Sequence, residues 1–239
     1  RRNLECNVGG DSEDLNSDLD KAVSLGVNPN NSRVLWLRAM AKVTLQLETA
    51  LDFAEKSLKN ATTDQDKTDA LFLLTWFNAS GDHETVGKDY ARKLLNHLLP
   101  QPTGFENNIY AALACMVLED PIKVASYLER ARTDAGTNRS KLARLYFLQG
   151  LFYSVTDSYD LAIESLKKSV QYRPSCIFTY LFLAKIYEED KDDYDSALTI
   201  INQALERSPK MAELYLRRGN LYQSKEDYER ALSNFQKVI

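Results

Sequence analysis

Residues 143–174 read ARLYFLQGLFYSVTDSYDLAIESLKKSVQYRP, and the same order of large, small and turn-forming residues returns twice before the chain ends. The second copy, IFTYLFLAKIYEEDKDDYDSALTIINQALERSP, occupies 177–209 and the third, AELYLRRGNLYQSKEDYERALSNFQKVI, occupies 212–239. The fourth place of each copy holds Tyr146, Tyr180 and Tyr215, the eighth Gly150, Ala184 and Gly219, and the eleventh Tyr153, Tyr187 and Tyr222. Tyr159, Tyr194 and Tyr228 follow, then Ala162, Ala197 and Ala231, and Pro174 and Pro209 close the two complete copies. One extra residue, in the acidic stretch Glu188 to Asp195, is the only break in register.

Self-similarity at a fixed period of this size marks stacked supersecondary units. Gly or Ala at two places per copy removes bulk where two helices approach closely, and tyrosines fill the volume around them. A proline near the end disfavours helix in the residue before it, so each copy reads as two antiparallel helices and a turn. This set of residues resembles the tetratricopeptide repeat family over 143–239, with degenerate repeats upstream. The resemblance implies an all-α fold, a right-handed superhelical array of antiparallel helix hairpins.

Upstream, residues 1–13 have paired glycines and no periodicity, and read as a flexible lead-in. Leu15, Leu19, Ala22 and Val23 share one helical face that stops at the Gly and Pro punctuation GVNPNN. Trp36, Ala39, Met40 and Val43 predict a helix over 33–47, and Ala50, Leu51, Ala54 and Leu58 a second one. After a polar connection at 62–69, ALFLLTWFNA is apolar nearly all round, the pattern of a helix covered on several sides. Its return helix, 84–99, is expected to turn Val86, Tyr90, Leu94, Leu95 and Leu98 inward. Thr103 and Glu106 have capping-box spacing for the next helix, and Pro121 suits the first turn of the one after. A seven-residue step from Val117 to Val124 predicts a tighter hairpin turn here than in the clear repeats. These readings divide the chain into the lead-in 1–13, degenerate hairpins over 14–139 and three repeats over 140–239, the last cut short, in one continuous array. The chain stops inside a second helix at FQKVI, so it reads as part of a larger protein.

The 239 residues are 44% hydrophobic with a net charge of -4, and neither half has the basic excess that phosphate backbones require. No apolar run reaches the 18 or so residues that span a bilayer. No basic-then-apolar signal segment opens the chain, and its compartment is left open, with the cytoplasm slightly favoured. Three cysteines, Cys6, Cys115 and Cys176, are too few and too dispersed for a disulfide framework or a zinc site, and Cys115 reads as a buried, inert thiol. Asn-x-Ser/Thr triplets begin at Asn30, Asn60, Asn78 and Asn138, all at predicted turns or helix ends. His83 and His97 have no Ser, Cys or carboxylate at triad or metal spacing. GDHETVGK at 81–88 departs from a phosphate loop in spacing, in its last residue and in lacking a preceding strand. The run EEDKDDYD at 188–195 lacks the ligand pattern and glycine of a calcium loop and reads as a solvated turn capping the next helix. No catalytic residue, cofactor or metal is expected.

In the family this chain resembles, the first helices of successive repeats line a concave groove. Its exposed places correspond here to a candidate set of Arg144, Phe147, Leu151, Phe178, Leu181, Lys185, Glu188, Leu216 and Asn220. Family members that grip a chaperone's terminal carboxylate use a Lys, Asn and Arg clamp. This chain has Phe147 and Leu151 where the Lys and Asn would stand, and Arg217 and Asn220 lack the partners a clamp requires. An apolar strip replaces it, to be read either as an open groove or as packing between first helices. The function expected is a non-catalytic scaffold for protein–protein interaction that takes a partner peptide or helix in this groove. A peptide-sensing regulatory module, or a non-catalytic region of a larger enzyme, is the alternative. Neither nucleic acid nor membrane insertion is expected, and the oligomeric state is left open.

Overall fold

The computed structural model describes residues 19–32, 34–35, 38, 47–79, 84–98 and 102–238. The lead-in, Leu15, Trp36, Ala39, Met40, Val43, Cys6, Gly81, His83 and Ile239 lie outside the described residues. Every regular element among the described residues is helical. The chain is all-α and built from helix hairpins that divide into two compact units at Gly136 and Thr137.

In the first unit, residues 19–24 are helical and end where Gly26 takes φ 97, a left-handed conformation that suits glycine. Helix α1 (Leu47–Lys59) packs Ala50 and Ala54 against Leu73, Leu74 and Phe77 of α2 (Asp64–Phe77). The two stretches before and within α1 are tied by a reciprocal pair: Ser32 Oγ donates to the Ser57 carbonyl and Ser57 Oγ to the Ser32 carbonyl. Helix α2 buries residues on several sides, as its all-round apolar sequence requires.

Its start corrects the sequence reading. Residues 64–69 belong to α2 and not to a connection: Thr63 caps the helix by accepting from Asp66 N–H. The first turn reads as polar because Asp64 and Asp66 suit the positive end of the helix dipole. In α3 (Glu84–Leu98) the inward face is Gly87, Ala91, Leu94 and Leu98, while Val86 is exposed. The inward stripe begins at a glycine, which an apolar pattern does not register. A side chain at Gly87 would overlap the Asn78 carbonyl.

Helix α4 (Phe105–Val117) forms no capping box, because its N-cap is Gly104 at φ 80 with no side-chain bond. Asn108 Nδ2 reaches back to the Gly104 carbonyl instead. Helix α5 (Pro121–Ala135) starts with Pro121 behind an Asp120 cap and buries Val124, Leu128 and Ala131.

The second unit comprises α6 (Arg139–Val155), α7 (Tyr159–Tyr172), α8 (Ile177–Lys185), α9 (Tyr194–Arg207), α10 (Ala212–Ser224) and α11 (Tyr228–Phe235). Ala162, Ala184, Ala197 and Ala231 are buried, and a side chain at Gly150 or Gly219 would overlap Leu166 or Phe235. Tyr180 and Tyr215 donate to the carbonyls of Pro174 and Pro209, so the proline that closes one copy receives the tyrosine that opens the next. Tyr228 departs from the tyrosine packing rule: at 65% exposure it stands in solvent.

All four hairpin turns in α4–α5, α6–α7, α8–α9 and α10–α11 share one geometry. Glu119, Asp157, Asp192 and Glu226 take left-handed φ of 58, 56, 50 and 60. Each is followed by the N-cap residue, whose N–H bonds back to Cys115, Tyr153, Tyr187 and Tyr222 respectively. The α4–α5 turn is therefore not the tighter one expected. Cys115 takes the place of the eleventh-position tyrosines and Ala112 that of Gly150, so the register of this hairpin runs from Ala112 and Cys115 and not from Val117.

The extra residue of the second copy is absorbed without disturbing this turn. Helix α8 runs on into a π-helical turn, Ile186–Asp190, which spends one more residue per turn than an α-helix.

Candidate functional site

First helices of neighbouring repeats lie side by side in the second unit. Phe147 of α6 meets Phe178 and Phe182 of α8 with ring centroids 5.5 and 6.1 Å apart. Phe147 and Leu181 are half-buried and pack against the core of this unit, while Leu151 and Phe178 are half-buried beside them. Leu216 on α10 is 41% exposed. Packing between first helices is seen for Phe147 with Phe178 and Phe182, and apolar area stays accessible at Leu216. Arg144 and Asn220 are half-buried at opposite ends of this set. Phe182 was not among the expected residues, because it falls outside the places that face a groove in the family pattern. Its ring nevertheless meets the edge of Phe147.

Lys185 and Glu188 of the set meet Glu189 and Arg217 at the π turn. Lys185 Nζ lies 3.4 Å from Glu189, and the Arg217 guanidinium pairs with Glu188 and reaches Glu189 at 3.7 Å. Arg217 therefore has carboxylate partners from the neighbouring repeat, supplied by residues that the π turn carries there. The Glu188–Arg217 contact is one of charge, with atoms out of hydrogen-bond alignment.

The other residues weighed for chemistry have structural roles. Asp193 caps α9 by accepting from Ser196 N–H at 2.9 Å, and Asp195 pairs with Lys225. His97 Nε2 meets the Asp64 carbonyl at 3.2 Å. Burial pushes the Cys115 thiol up to about 11. Asn78 is buried, and its side-chain amide donates to the Leu74 carbonyl. Among the described residues no helix is long and apolar enough to cross a membrane.

A family model described as tetratricopeptide repeat matches residues 143–176, 179–211 and 212–239. Residues 143–239 are tetratricopeptide repeats. Among solved structures, the human IFIT1 dimer with m7Gppp-AAAA aligns over 87% of this chain and 50% of its own at 19% identity, with a TM-score of 0.57. The Cut9–Hcn1 hetero-tetramer aligns over 98% of this chain and 44% of that one at 14% identity, with a TM-score of 0.52. This chain spans about half the length of these proteins or less, and at such identities the likeness is one of fold. No curated protein sequence matches it. Tetratricopeptide repeats with neighbours of that fold support a protein-interaction scaffold, in a family that is generally non-catalytic.

Proposed function

We propose that the chain holds a segment of a partner protein along the first helices α6, α8 and α10, with Phe147, Leu151, Phe178, Leu181 and Leu216 as the apolar seat. The observation that carries this reading is the half-buried state of four of these residues together with the exposure of Leu216. A fully packed interhelical seam would leave no apolar area to cover, and a polar clamp would need cations that this strip does not have. Burying a large apolar side chain of the partner there contributes roughly 1.5–3 kcal/mol, and a helix or extended peptide presents such side chains at regular intervals. Lys185, Glu188, Arg144 and Asn220 lie around the strip and would set the register.

The test compares photo-crosslinking amino acids placed at Leu151 and at Leu161, an exposed residue on the second helix α7. Peptides selected on the protein from a display library should crosslink from position 151 and lose binding in Leu151→Asp. Crosslinking from position 161 with an inert position 151 would refute the groove.

A further inference from the structure

The three hairpin turns of the second unit line up along one edge. Lys191 bridges to Asp160 at 2.7 Å and Lys225 to Asp195 at 2.6 Å, each joining a turn to the turn of the preceding repeat. Residues 156–160, 188–195 and 225–230 on this edge hold eleven carboxylates and only three cations. The remainder of 137–239 holds three carboxylates and twelve cations, so a unit that is nearly neutral as a whole is strongly divided in charge.

Helix energetics account for part of this division. Asp193 and Asp227 are N-caps, and Asp160, Asp195 and Glu229 sit in first helical turns, where the dipole favours anions. Of the other six, Asp157, Asp192 and Glu226 stand one place before the N-caps of second helices, and Glu188 and Glu189 pair with Arg217 and Lys185. Asp157, Asp192 and Glu226 thus lie between the end of one helix and the start of the next, and only Glu188, Glu189 and Asp190 lie in the final turn of a first helix, where the dipole disfavours negative charge. Asp157, Asp192 and Glu226 take a left-handed φ, which aspartate tolerates better than most non-glycine residues. What a partner beside the apolar strip would meet is the net charge of this edge, eleven carboxylates against three cations.

We infer that the groove's occupant is an amphipathic segment whose apolar stripe lies on Phe147, Leu151, Phe178 and Leu216, with a row of Lys or Arg along the flank that faces this acidic edge. The inference rests on the groove reading above and specifies its partner class. Glu188 and Glu189 are where strip and edge meet. Their ion pairs with Arg217 and Lys185 hold them there, and exposed Asp190 and Asp192 extend the field outward. Complementary charge of this kind fixes orientation and raises the association rate, while the apolar contacts carry the salt-resistant part of the affinity.

A random peptide library displayed on phage and panned on the whole chain supplies the probe. Enriched sequences should combine spaced apolar residues with Lys or Arg and should lose about five- to tenfold in affinity at roughly 0.5 M salt without losing it altogether. A similar loss should follow the combined substitution Asp157→Asn, Asp190→Asn, Asp192→Asn and Glu226→Gln, which keeps the hydrogen-bonding shape of each side chain and the fold, checked by circular dichroism. Enriched peptides that are acidic or uncharged, yet are lost on Leu151→Asp, would overturn the charged flank and leave the groove standing. Binding that ignores both Leu151→Asp and the combined variant, or no enrichment at all, would overturn both.

Discussion

Adding one methyl group to each of three glycines ranks the close contacts of this molecule. In a helix interior alanine is favoured over glycine by about 1 kcal/mol on propensity alone, so any net loss measures the clash. At Gly87 the new carbon meets the backbone carbonyl of Asn78, which cannot yield, and Gly87→Ala should cost the most, at or above the top of the roughly 1–3 kcal/mol range for overpacking. At Gly150 it lies 2.6 Å from Cγ of fully buried Leu166, and Gly150→Ala should cost less than Gly87→Ala. At Gly219 the obstacle is the ring of half-buried Phe235, which can swing, and the loss should be smallest. Urea midpoints in any other order would show that the helix contacts differ from those described. Gly150 and Gly219 were legible because they recur in register; Gly87 was not, because it occurs once and sits in a run that reads as polar. The thiol of Cys115, 1% exposed and titrating near 11, should resist maleimide in the native protein at neutral pH and react once urea unfolds it.

At the scale of the element, helix starts were harder to read than helix faces. A helix N-terminus collects acidic and amide residues, so the first turn of α2 looked like a loop, and the capping box expected at Thr103 gave way to a glycine cap. The acids at such starts also tie stability to pH. Bonds from the Ser196 side chain and backbone hold Asp193 below the ordinary aspartate range, and bonds from Lys123 do the same for Asp120. A depressed folded-state value means that these groups stabilise the fold above the unfolded value of about 4, and that this stabilisation is lost as pH falls through the lower folded values. The urea midpoint should therefore fall between neutral pH and pH of about 3. Asp193→Asn, which still accepts a hydrogen bond but does not titrate, should reduce that fall; an identical pH profile would remove Asp193 from the account.

For the whole molecule, the hairpin architecture of 143–239 was legible because repetition makes a pattern visible that no single copy shows. The hairpin at 105–135 has the same turn, but Cys115 and Ala112 stand where Tyr and Gly would have announced it. The candidate site was legible only as a set of places, since the ion pairs of Arg217 depend on where the backbone puts Glu188. Division of the chain at Gly136 and Thr137 predicts that a fragment comprising 137–239 retains its helical circular dichroism and a cooperative melt; a featureless melt would show that this unit depends on the rest of the chain. The π turn at Ile186–Asp190 has a further consequence. Because the inserted residue is taken up before the turn, every side chain from Asp193 onward keeps its phase with the other repeats, and only the short stretch around Glu188 is rotated. A single codon gained or lost there would re-aim two carboxylates beside the proposed seat while leaving each packed position where it was, a route by which a repeat can alter its surface without renegotiating its core.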